Sequence, residues 1–255
     1  MGNSAAAFLI VLGILIFFHE FGHFIVARLF GVGVEKFSLG FGPRLFGRRI
    51  GLTDYRLSLI PLGGYVKMVG EEPDEEMDPA LIPLSFTHKS VLQRMLIVFA
   101  GPLFNIILAV IIFFVIGFFA GTMILTPTIG TIKEGSPAAA AGFVKGDRVT
   151  AIDGVPITSW EEMADRINHS GGRELAITVA RPEGETVLRA APERLTAKNL
   201  LGEEIQRHVI GVSSAGEVLT RKLGFFEAVF QSLRQTYAIG ELMVVIVAKM
   251  ITGDI

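Results

Sequence analysis

Residues 5–34 read AAAFLIVLGILIFFHEFGHFIVARLFGVGV, and His19, Glu20 and His23 stand inside this otherwise almost entirely apolar run. An HExxH sequence on a helix sets its two histidines one turn apart on one face, where both imidazoles can bind a single zinc ion, and it puts the glutamate beside the water such an ion carries. Residues 5–18 carry no charge, and with the histidines turned inward the segment to about residue 30 reaches the ~20 residues needed to cross a bilayer. Ionisable groups are costly to bury at that depth and mark function by default. His19 and His23 are therefore the candidate metal ligands and Glu20 the candidate catalytic base.

Composition supports a membrane setting. A mean hydropathy of +0.54 with 51% hydrophobic residues exceeds that of an ordinary soluble domain, while 19% charged residues leave room for a substantial aqueous portion. The net charge of −2 and the lack of a basic patch interleaved with aromatics argue against a nucleic-acid partner. With no cysteine in the chain, a disulfide framework and a thiolate metal site are both excluded, so any zinc takes nitrogen and oxygen ligands. A cleaved signal peptide is the competing reading of the N-terminus. Residues 1–7 lack a positive n-region, and the apolar segment runs on past any plausible cleavage point with the metal motif embedded in it.

Outward from the motif, the sequence divides into six parts: a first membrane helix over 1–34, a loop over 35–94, a second membrane helix over 95–126, a compact module over 127–193, a linker over 194–222, and a last segment over 223–255. The second span is free of charge from Met95 to Pro127. In the last segment Glu227, Arg234 and Glu241 recur every seven residues, which predicts an amphipathic helix leading into a third membrane helix from about Tyr237, against an interfacial helix alone. The loop over 35–94 carries Lys36, Arg44, Arg48, Arg49, Arg56, Lys67, Lys89 and Arg94, so the positive-inside rule places it in the cytoplasm and the module after the second helix outside. The acidic run from Glu71 to Asp78, bounded by prolines, reads as a solvated loop.

Within the cytoplasmic loop, FSLGFGPRLF (37–46) and YRLSLIPLGGYVKMV (55–69) are strand-like, with paired glycines at Gly63 and Gly64. They predict a β-hairpin beside the membrane. Its exposed edge either binds a substrate segment as an added strand or only packs the bundle. The module over 127–193 reads as a mixed α/β domain. Strands are expected at Ile129–Lys133, Arg148–Asp153, Leu175–Val179 and Thr186–Ala190, with a helix capped by Ser159 and Glu162 whose inner face holds Trp160, Met163, Ala164 and Ile167. With GSPAAAAGFVKGDRVTAIDGVPI at its centre, this order resembles a bacterial PDZ domain, which implies either peptide recognition or a steric filter.

HEFGH, FGP, PLGGYVKM, AGPLFN at Ala100–Asn105 and an external PDZ-like module together resemble the intramembrane site-2 metalloproteases, in the regulator-of-sigma-E protease branch, over nearly the whole chain. The expected fold is a multi-pass α-helical membrane protein with an inserted PDZ-like domain and a membrane-associated β-hairpin. The resemblance implies a zinc endopeptidase of the bacterial inner membrane. It would cut transmembrane segments of single-pass proteins, such as an anti-sigma factor or a remnant signal peptide, with the PDZ-like domain on the periplasmic or extracellular side. Asn105, Gly63 and Gly64 are the candidate substrate contacts, and Asn105 reads equally as interhelical glue. The family's third zinc ligand is an aspartate in an LDG sequence on a later membrane helix. No LDG occurs here, and the only IDG, at Ile152–Gly154, lies inside the module, so Asp153 is not expected to bind zinc and the chain reads as a C-terminally incomplete fragment. The alternative is a catalytically silent scaffold that binds peptides through its PDZ-like domain.

Overall fold

The apolar run around HExxH folds as one helix, α1 (Gly2–Leu29), in a computed structural model that describes residues 2–72, 78–198 and 204–253. Gly31, at φ +66°, ends it: the Gly31 N–H returns to Arg28 O and the Val32 N–H to Ala27 O, the paired closure that a left-handed residue allows after a helix. The chain then turns directly into strand, so residues 30–34 lie outside the helix that the sequence extends to residue 34.

β1 (Val34–Ile50) and β2 (Thr53–Met68) pair antiparallel, but each doubles back on itself. Residues 36–39 pair with 64–67 on one side and with 54–57 on the other, and residues 54–57 also pair with 46–49, so two strands make a curled sheet of four segments. The bends fall at Gly40 (φ +88°), Gly42 (φ +86°) and Gly63 (φ +134°), conformations that residues with a Cβ avoid. Ser38 and Ser58, both buried, share a 3.0 Å hydrogen bond across the fold. The inner half packs on α1 through Phe24, Phe37 and Tyr55, while Phe41, Leu45, Phe46, Leu59, Ile60 and Leu62 of the outer half stay exposed.

After a 3-10 turn at Pro79–Leu84, α2 runs Val91–Val115. Ser90 and Gln93 cap it reciprocally, the Gln93 N–H donating to the Ser90 hydroxyl and the Ser90 N–H to the Gln93 amide oxygen. One wider π turn, Ile116–Ala120, finishes the helix. The apolar run does not continue as membrane helix to residue 126: Thr122–Leu125 is a strand, β3. The expected acidic loop lies mostly at residues 73–77, outside the described residues.

The chain divides into two units, Met1–Phe113 and Phe114–Ile255. In the second, β4 (Ile129–Ile132), α3 (Pro137–Ala140), β5 (Arg148–Ile152), β6 (Val155–Pro156), α4 (Trp160–Asn168), β7 (Leu175–Arg181) and β8 (Gly184–Ala190) follow the order expected of the module. The main sheet is β6-β5-β7-β8, all antiparallel, closed at β5–β6 by Asp153 (φ +50°) and Gly154 (φ +75°) in a two-residue turn. Ile129, Val149, Ile152, Met163, Ile167, Leu175, Ile177 and Val179 form its core.

Residues 194–222 are not a linker. They hold most of β9 (Glu193–Lys198), β10 (Glu204–Val209), β11 (Val212–Ser214) and β12 (Val218–Arg221). β10 pairs β9, β11 pairs β4, β12 pairs β3, and Ile210, 1% exposed, belongs to the module's core. Short charged strands such as EIQRHV carry too little apolar alternation to be recognised alone, and pairing partners far away in sequence make them strands. The last segment is one unbroken helix, α5 (Phe225–Thr252), with no division near Tyr237. Residues 6–29, 91–120 and 225–252 thus form three helices long and apolar enough to cross a membrane.

Candidate metal centre

His19 and His23 lie one turn apart on α1, and their Nε2 atoms approach to 3.2 Å. Two imidazole nitrogens on one tetrahedral zinc, each at ~2.0–2.1 Å, stand about 3.3 Å apart, so the pair has the spacing of one edge of such a site. The backbone carbonyl of Ile97, on α2, accepts from His23 Nδ1 at 2.8 Å. A carbonyl accepts only, which puts the hydrogen on Nδ1 and leaves the Nε2 lone pair facing its neighbour. Two nitrogen donors therefore fit a borderline metal such as zinc. Among the described residues no group of three His, Asp or Glu side chains gathers to complete a site.

Small residues let α2 come this close. A Cβ on Gly101 would fall 2.3 Å from His23 Nε2 and 2.7 Å from His19 Nε2. One on Gly22, across the same contact, would fall 2.4 Å from Ala100 O. Pro102 follows at once and removes one backbone donor from the helix, leaving the carbonyl four residues back without its usual partner.

Glu20 faces the hairpin at Gly64. The approach is possible because position 64 is glycine: a Cβ there would lie 3.1 Å from Glu20 Cγ, 2.8 Å from Ile16 Cγ2 and 2.9 Å from Ser38 O. Gly63 packs against the Phe41 ring, which stacks on Tyr65 at a centroid distance of 6.1 Å. Asn105, two turns along α2 from Ile97, places Nδ2 3.4 Å from His19 Nδ1, while its Oδ1 is buried without a partner. Leu12, Leu15, Ile16, His19, Glu20, Phe41, Gly63, Gly64 and Asn105 together line one cleft of about 370 Å³.

Five of the six residues singled out in the sequence, His19, Glu20, Gly63, Gly64 and Asn105, thus line one cleft, and His23 adjoins it through His19. Asp153 is engaged elsewhere, accepting from the Ala176 N–H at 3.0 Å and from Arg173 at 2.6 Å, and the Ala176 hydrogen bond first of all holds its carboxyl below the usual carboxylate range. Sequence reading missed Gly101, Gly22 and the Ile97 carbonyl. Gly101 was visible as part of AGPLFN, but a backbone carbonyl leaves no trace in side-chain identity.

The chain matches the model of "Peptidase family M50" over residues 7–255. A Brucella suis protein provisionally named a zinc metalloprotease is 38% identical over 90% of this chain and 64% of its own length. A Campylobacter jejuni protein of the same provisional name is 34% identical over 98% of the chain and 67% of its own length. The protease RseP of Yersinia pestis is 44% identical over 69% of the chain and 39% of its own length. The chain therefore spans about two thirds of the first two relatives and less of the third. Among solved structures, the PDZ domain of an SdrC-like protein from Listeria monocytogenes covers 34% of the chain at 25% identity, with a TM-score of 0.26, too low to carry an argument. On the family match over residues 7–255, the chain belongs to peptidase family M50.

Proposed function

We propose that this chain carries the zinc-binding pair and the general base of an intramembrane endopeptidase that cuts transmembrane segments of single-pass membrane proteins. The observation that carries the reading is the 3.2 Å approach of His19 Nε2 and His23 Nε2 on a helix apolar enough to cross a membrane, with Glu20 between them in sequence. His19 and His23 would hold zinc. When bound, it polarises the scissile carbonyl and lowers the pKa of a coordinated water to about 7. Glu20 takes the proton of the attacking water and returns it to the leaving amine. The close packing of Gly64 orients that side chain.

A helical peptide bond is poorly exposed to attack, so the substrate must enter extended. The segment 64–68 pairs with β1 on one side only and brings its backbone to Glu20, which suits it to receive such a strand, with Gly63, Gly64 and Asn105 as substrate contacts. The exposed apolar outer half of the hairpin fits insertion beside the bilayer. On this reading α1, α2 and α5 span the inner membrane, the hairpin lies on the cytoplasmic side, and the module of β4–β11 lies outside as a PDZ-like domain that binds or filters peptides.

The test is Glu20→Gln in the protein from its complete reading frame, reconstituted with a single-pass reporter. Cleavage is expected to fall at least about a hundredfold while zinc is retained, as removal of a general base requires. Unchanged cleavage would overturn the assignment of Glu20, and no cleavage by the wild type would leave the peptide-binding scaffold as the reading.

A further inference from the structure

The two imidazoles are held from α2 in different ways. His23 Nδ1 donates to the Ile97 carbonyl at 2.8 Å, which settles its tautomer. His19 Nδ1 meets only the side-chain amide of Asn105, at 3.4 Å, long for a hydrogen bond. The amide's other end, Oδ1, is buried and touches no hydrogen-bonding group. An amide's oxygen and nitrogen exchange places by a half-turn of the group, and its neighbours decide which way it faces. Because one end of Asn105 has no partner, His19 alone decides. A neutral imidazole that gives Nε2 to a metal carries its hydrogen on Nδ1, and that hydrogen needs an acceptor. Nδ2 is a donor and cannot serve.

We propose that Asn105 presents Oδ1 to the Nδ1–H of His19 and is the positioning residue that fixes the tautomer and ring plane of the first metal ligand, as the Ile97 carbonyl does for the second. The inference rests on the zinc reading above. The register supports it: Ile97 and Asn105 are eight residues apart, about two turns and so on one face of α2, where they meet His23 and His19 in antiparallel order. The sequence readings of Asn105 as a substrate contact or as interhelical glue leave the His19 ring without a defined acceptor; this one supplies it.

The test measures zinc affinity by competition with a chromophoric chelator, on the detergent-solubilised protein from its complete reading frame. N105D keeps the acceptor and loses the donor, so its affinity is expected to stay within about threefold of wild type. N105L has similar bulk and no acceptor, and its affinity is expected to weaken about ten- to a hundredfold, the usual cost of losing such a partner. N105A gives the same reading should N105L fail to fold, with thermal unfolding of each variant as the control. Wild-type affinity in N105L or N105A, or a loss in N105D equal to theirs, would overturn the inference while leaving the zinc reading intact. A wild-type protein that binds no zinc would overturn both.

Discussion

Gly101 is where the second helix meets His19 and His23, and its missing side chain is what lets the two rings stand there. Alanine is the better helix former by roughly 1 kcal/mol, so Gly101→Ala ought to stabilise α2 if nothing stood opposite. Its Cβ would instead arrive 2.3 and 2.7 Å from the two Nε2 atoms. Both contacts are shorter than packed atoms tolerate, and the rings must part. Zinc affinity is expected to drop about tenfold or more, by the same competition measurement, because a displaced ring loses its ligand geometry. An unchanged affinity would show that the helices separate at little cost. The glycines at 63 and 64 make the same kind of demand on the hairpin side, where Phe41 and Glu20 occupy the space.

At the scale of elements, α4 and the β4–α3–β5 region each carry one device that can be tested. Ser159 caps α4 by accepting from the Glu162 N–H at 3.2 Å, and Glu162 reaches back to the Thr158 N–H at 2.8 Å. Ser159→Ala is expected to destabilise the module by about 1 kcal/mol. Trp160, the one tryptophan in the chain, is the next residue and reports unfolding in urea by its fluorescence. Asp147 is 1% exposed, and this burial opposes its charge. Hydrogen bonds from Arg181 at 2.6 and 2.8 Å and from the Val144 N–H at 2.9 Å outweigh that, holding the carboxyl below its ordinary range. The folded state therefore favours the ionised form. The resulting stabilisation is complete above the unfolded pKa of about 4 and is lost as pH falls through the lower folded value. Trp160 fluorescence is expected to show acid loosening only below about pH 4. Asp147→Asn is expected to lower the urea midpoint at pH 7 and to flatten its dependence on acid.

For the whole molecule the decisive question is on which side of the membrane the hairpin lies and on which side the module of β4–β11 lies. With no native cysteine, single-cysteine variants give a clean readout. On the proposed orientation, Glu161→Cys in α4 reacts with a membrane-impermeant maleimide in spheroplasts, and Arg49→Cys on the hairpin reacts only after permeabilisation. The reverse pattern would invert the topology and remove the external PDZ-like reading. The exposed apolar surfaces of α1, α2, α5 and the outer hairpin are those a bilayer would cover.

The sequence by itself determined the three long helices, the strand-rich loop, the order of the module from β4 to β8, and the candidate residues of the site. Each of these follows from local patterning: charge-free runs, alternating strands, a capped amphipathic helix, and two histidines whose spacing matches one helical turn. Tertiary structure alone decided the rest. It folded two strands into four segments at Gly40, Gly42 and Gly63, and it drew residues 194–222 into paired strands through partners as distant as β3 and β4. It also surrounded the HExxH motif with a carbonyl, an amide and a glycine from α2, and with a glycine from β2. Backbone groups and missing side chains act through where they are placed, and placement is fixed by packing between segments far apart in the chain, which no local pattern encodes.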